Sequence, residues 1–196
     1  EEVFARPLWP FTQAVAVPTV SLGSRRIVAR HVNALCLGLF LREQGIADGA
    51  RLECCGFFLT PPAVAGAKSP KSTAQRFAAW LEGQREDPGL ARSLERLTAR
   101  SAFEGSAVGA LVEPVIGRIR EVGERWGQLR EGLLATLTDL EGKEGMDFKK
   151  ANAPQKAVLV QLTRHDEEYL LRYLAAEGFL PAHGFPMHVV PFVTLT

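Results

Sequence analysis

The stretch Val112-Glu113-Pro114-Val115-Ile116-Gly117-Arg118-Ile119-Arg120-Glu121-Val122 decides the fold class, because its periodicity continues unbroken to Leu140. Apolar side chains recur at spacings of three and four: Val112, Val115, Ile116, Ile119, Val122, Trp126, Leu129, Leu133, Leu137 and Leu140. That spacing puts them on one face of an α-helix of roughly seven turns. Arg118, Arg120, Glu121, Glu124, Arg125, Arg130 and Glu131 fall on the other face. Their mixed sign reads as a solvated helix surface, not a nucleic-acid groove. Pro114 is expected in the first turn, where its missing N–H removes no intrahelical bond.

Working outward, helices dominate on both sides. Ser24 is placed to cap a helix over Arg25–Gln44, which Gly45 ends. That helix is apolar over most of its circumference, as a central buried helix is. Ser69 or Ser72 caps a second helix over Thr73–Arg85, with Phe77, Trp80 and Leu81 inward. Asp87-Pro88 opens a third, with Leu90, Leu94 and Leu97 on one face, so the two form an αα-hairpin. Residues 141–154 read as a linker, and Ala157–Ala176 as a last helix interrupted by the charged run Arg164-His165-Asp166-Glu167-Glu168. The fold class is therefore mainly α, a helical bundle-like accessory domain with short extended segments near residues 14–20, 52–59 and 185–195. Three parts are expected: 1–66, an extended segment plus the buried helix; 67–145, the hairpin and long helix; and 146–196, the linker, last helix and a Gly/Pro-rich anchor.

Composition bounds the function. The 196 residues carry 23 Lys+Arg against 22 Asp+Glu, a net charge of +1, so any nucleic-acid contact must come from a local patch. Cys36, Cys54 and Cys55 have neither a disulfide nor a zinc spacing and read as reduced thiols of a cytoplasmic protein. The apolar runs are too short to cross a membrane. Starting at Glu1-Glu2 and stopping on an apolar run, the sequence reads as an excerpt of a longer chain. There is no phosphate-cradling Gly-x-x-x-x-Gly-Lys-Ser/Thr loop, no Asp-Glu-x-His box, no Gly-x-Ser-x-Gly turn and no His-Glu-x-x-His pair. His31 is expected to be a hydrogen-bonded structural histidine, and His183 and His188 have no partners in sequence that would make a metal site. No catalytic residue is assigned.

The anchor, Glu177-Gly178-Phe179-Leu180-Pro181-Ala182-His183-Gly184-Phe185-Pro186-Met187-His188-Val189-Val190, combines a helix stop with two rigid turns. This pattern resembles one that lies beyond the two motor domains of large bacterial superfamily-two DEAD/DEAH-box helicases, ahead of a cysteine-rich module. A second stretch, Arg30-His31-Val32-Asn33-Ala34-Leu35-Cys36-Leu37-Gly38-Leu39-Phe40-Leu41-Arg42, resembles the helix that follows their second motor domain. Helicases of this kind include repair enzymes and those of anti-phage systems such as DISARM and Druantia. The resemblance covers Arg30–Arg42 and Arg172–Val190; the motor motifs and the cysteine cluster are not in this sequence. It implies an accessory domain that supports the motor domains of the same chain and guides single-stranded DNA. ATP and Mg2+ would then belong to those motor domains, with no cofactor in this stretch. Candidate strand-binding residues are Arg25, Arg26, Arg30, Lys149, Lys150 and Arg164, each also explicable as a solvated surface cation. The alternative reading is a helical protein–protein interaction module with no nucleic-acid or catalytic role.

Overall fold

A computed structural model of the chain describes residues 24–46, 51–62 and 70–181. Among them are seven helices and no strand: α1 (Arg25–Glu43), α2 (Cys54–Phe58), α3 (Thr73–Gly83), α4 (Pro88–Thr98), α5 (Val108–Asp139), α6 (Ala153–Asp166) and α7 (Leu170–Ala176). The fold is mainly helical, as the periodicity of α5 requires. None of these helices is long and apolar enough to cross a membrane. The expected extended segments at 14–20 and 185–195 lie outside the described residues.

Local chemistry sets the helix ends. The Ser72 hydroxyl accepts the Gln75 N–H at 3.2 Å and the Gln75 side chain accepts the Ser72 N–H at 2.9 Å, a reciprocal cap on α3. Asp87 accepts from the Leu90 N–H at 2.6 Å, with Pro88 in the first turn of α4. Asn152 and Gln155 form the same reciprocal cap on α6. Gly45 takes φ +69° after α1, and Ile46 and Gly45 return their N–H groups to Leu41 and Arg42. Ser24 precedes α1 without a side-chain cap.

The 32-residue α5 is the axis. Its first part buries Leu111, Val112, Val115, Ile116, Ile119, Val122 and Trp126 against α1, α2 and α3. Phe40, Phe77 and Trp80 meet there with ring centroids 5.3–6.5 Å apart. Among the described residues, the far end of α5 packs on α6. Gln155 donates to the Leu140 carbonyl at 2.8 Å and the His165 ring reaches the Trp126 carbonyl at 3.0 Å, so α6 runs back antiparallel along α5. Leu137, Ala151, Val158 and Leu162 are buried in this two-helix arm but lie outside the main core.

Several expectations are corrected. Residues 52–59 do not form an extended run: Cys54–Phe58 is a short helix, and only Glu53 makes an isolated bridge, to Tyr169. A run this short has no readable period, and the i, i+3 pair Cys54 and Phe57 suffices to bury a helical face. Helix α5 starts at Val108, one turn earlier than expected, so Pro114 lies inside it and forgoes a bond to the Ala110 carbonyl. The linker ends sooner than Pro154, because the Asn152 cap starts α6 at Ala153. The charged interruption at 164–168, open to reading as a break or an exposed turn, is a break: α6 ends at Asp166 and α7 starts at Leu170, and between them Cys54 N–H bonds the Glu168 carbonyl and Leu170 N–H the Leu52 carbonyl. Leu129, expected inward, is 58% exposed, since among the described residues α6 covers another side of α5 there. His31 and Ile27 on α1 are likewise exposed.

Phe77 is fully buried and touches two aromatic partners. Truncating it, Phe77→Ala, is expected to remove roughly 3–5 kcal/mol of stability, read from chemical denaturation midpoints at unchanged slope.

Candidate functional site

The anchor segment reaches its place through a helix too short to be stable alone. Helix α7 has seven residues, fewer than an isolated helix needs in water. Its end is closed by Gly178 at φ +72°, a left-handed conformation that glycine adopts without strain. Phe179 and Leu180 return their N–H groups to the Leu174 carbonyl at 2.8 and 3.1 Å, and their side chains are buried in the main core. That geometry leaves the carbonyls of residues 177–179 pointing away from the helix, and buried carbonyls need donors.

Three side chains from two other helices supply them. Arg118 of α5 donates to the Glu177 carbonyl at 2.6 Å. Arg30 of α1 donates through Nε to the Gly178 carbonyl at 3.1 Å. Asn33, also of α1 and itself buried, donates to the Phe179 carbonyl at 2.8 Å. Arg125 adds an ion pair to the Glu177 carboxylate at 2.9 Å, and Arg118 pairs with Glu121 at 2.8 Å. Cations at a helix C-terminus also oppose its negative dipole end. Beside this clamp runs an open groove of about 520 Å3, lined by Arg26, Arg30, Asn33, Pro114, Arg118 and Glu121 among others.

The six candidate cations fall in two groups. Arg25 lies over the Phe103 ring at 5.3 Å, Arg26 faces the groove, and Arg30 is committed to the Gly178 carbonyl. Lys149 and Lys150 are exposed on the turn after α5, and Arg164 is exposed on α6. Arg26 and Arg30 lie beside Pro114, Arg118 and Glu121 of α5, whereas the two lysines lie past its end at Asp139. At about 1.5 Å per residue, the stretch from Arg118 to Asp139 separates them by roughly 30 Å, and Arg164, next to the His165 that meets Trp126, lies between, so the six do not make one patch. His183 and His188 lie outside the described residues.

Sequence reading missed Asn33, Arg118, Arg125 and His165. An Asn on an apolar helix face was the available signal for the first. The aromatic residue Trp126 is stacked between Phe58 at 5.4 Å and His165 at 4.9 Å. Since the Trp126 carbonyl can only accept, the His165 Nε2 at 3.0 Å carries the hydrogen. Arg130 grips Asp166 through two bonds, at 2.9 and 3.2 Å, and also Glu144.

Among the described residues no group of His, Cys, Asp and Glu is arranged to hold a metal ion. Burial pushes the Cys36 thiol up to about 12 and, with the nearby Glu168 charge, does the same to Cys54. Burial also raises Cys55. All three thiols therefore stay protonated at neutral pH, the unreactive form. A thiol-reactive probe at about pH 8 should label Cys36 and Cys54 only after denaturation, and rapid labelling of both in the native protein would contradict their burial. Compared with protein-family models, with curated proteins and with solved structures, the chain finds no match.

Gly178→Ala tests the clamp. An alanine there is strained by about 1–2 kcal/mol, and its Cβ would stand 2.9 Å from Arg30 Nη2. A loss of at least that size in unfolding free energy is expected, and unchanged stability would contradict the left-handed turn.

Proposed function

We propose that this chain is a helical accessory domain of an ATP-dependent DNA helicase or translocase, bracing the motor domains of the same polypeptide and guiding single-stranded DNA. One observation carries the reading. The two stretches that resemble such helicases, 30–42 and 172–190, are far apart in sequence, yet Arg30 and Asn33 of the first hold the Gly178 and Phe179 carbonyls of the second. Residues that carry a resemblance separately gain weight when they form one structural unit.

The arrangement suits a bracing role. Fixed by three donors and two buried apolar side chains, the chain at Gly178–Leu180 is a rigid connection, so a displacement on one side is transmitted and not absorbed. Guidance of the strand falls to exposed cations, Arg26, Lys149, Lys150 and Arg164, through phosphate contacts that ignore base sequence. Arg30 acts in the clamp and Arg25 packs on Phe103. ATP and Mg2+ would bind in the motor domains, in a cytoplasmic protein of DNA repair or anti-phage defence.

The reading predicts that the complete open reading frame encodes a phosphate-binding loop and a DEAD/DEAH-type box before Glu1. It also predicts that the full protein hydrolyses ATP severalfold faster with single-stranded DNA than without. A reading frame with no motor would overturn it. Leu129, 58% exposed at the middle of α5, and the exposed Val160 of α6 favour a second reading, a protein-interaction module in which the α5–α6 arm docks a partner. Absence of any strand binding across a salt titration is the outcome that second reading expects.

A further inference from the structure

The turn joining α5 to α6 places an aromatic ring in solvent among cations. Phe148 is 49% exposed and lies outside the core. Lys156, from the first turn of α6, covers one side of its ring, with Nζ 5.7 Å from the centroid. Lys149 and Lys150 follow directly and are exposed. The turn is held at both ends: the Gln155 side chain ties α6 to the Leu140 carbonyl, Asn152 caps α6, and Ala151 is buried beneath. Phe148 is therefore presented by a fixed scaffold and is not a frayed end.

Acidic neighbours offset these cations only in part. Glu144 is engaged by Arg130. The Asp147 carboxylate accepts the Lys149 N–H at 2.9 Å. Glu141 and Lys143 cancel in charge. A backbone N–H leaves the Asp147 charge in place, so Lys149, Lys150 and Lys156 exceed it by two positive charges in facing an anion. Farther along α6, Val160 and Arg164 stand at i+4 and i+8 from Lys156, which keeps an exposed cation on the same side two turns on.

We propose that Phe148, with Lys149, Lys150 and Lys156, is a binding site for single-stranded DNA, in which one base stacks on the open side of the ring and the lysines take the flanking phosphates. This inference rests on the strand-guiding reading above and names where the strand is held. The chemistry selects unpaired nucleotides, since a base inside a duplex has no face to offer the ring. It does not select sequence, because every base has a π-face and every nucleotide a phosphate. Arg164 extends the track along α6.

The test measures binding of a fluorescent oligothymidylate to the full chain by anisotropy over a salt series. Phe148→Ala should weaken binding roughly tenfold at one salt concentration while leaving the salt slope unchanged. Phe148→Trp should restore the affinity. Lys149→Gln with Lys150→Gln should flatten the slope by about 1.4, or about 0.7 per lost phosphate contact. An oligonucleotide with abasic sites should bind the wild type and Phe148→Ala alike. If the wild type binds the strand and all three variants match it in affinity and slope, this site is overturned while strand guidance stands. If the wild type binds no strand at any salt, both fall and the arm belongs to a protein partner.

Discussion

Three backbone carbonyls at the end of a seven-residue helix set the organisation of this protein. Residues 177–179 leave α7 through a left-handed turn, and their carbonyls cannot be satisfied within α7 itself. Arg118, Arg30 and Asn33 satisfy them from α5 and α1. An unpaired buried acceptor costs about 1–3 kcal/mol, more than the short helix contributes by itself. The turn therefore depends on the two donor helices, which are held in the core by their own apolar faces. Phe179 and Leu180 enter the core only because this turn directs them there.

The second constraint is the uneven cover of α5. Its first part is buried by helices on several sides, whereas beyond Trp126 the described residues pack on it mainly from α6. Polar chemistry takes over there: Arg130 holds Asp166 and Glu144, His165 stacks on Trp126, and Gln155 closes the end of α5. An arm built this way exposes apolar and basic side chains together, with Leu129, Phe148 and Val160 among them. The clamp thus sits against the middle of α5 and the arm tip beyond its end, one internal, the other open to solvent.

The helical class was legible because α5 carries enough repeats to fix a period, and because Asp87-Pro88 and Ser72 with Gln75 announce helix starts through local hydrogen bonds. What failed to read was short or non-local. Five residues at 54–58 hold too little periodicity to separate helix from strand. The interruption near Asp166 was legible in the charged run 164–168, but its pairing with residues 52–54, more than a hundred positions away, is encoded by no local pattern. The same holds for the clamp. Gly178 was readable as a stop, but its partners Arg30, Asn33 and Arg118 are ordinary helix residues until tertiary packing brings a carbonyl to each. Arg30 shows the consequence most clearly, since a residue set aside for a phosphate is spent on a backbone oxygen.

The central claim is that the α1 and α5 side chains hold the α7 turn. Hydrogen exchange of the full chain, comparing the wild type with Asn33→Leu, addresses it most directly, because the substitution leaves the Phe179 carbonyl without its donor. The account predicts that amides over residues 173–180 lose protection while those of α3 and α4 keep theirs, a local opening and not global unfolding. Equal protection at 173–180 in both proteins would contradict it.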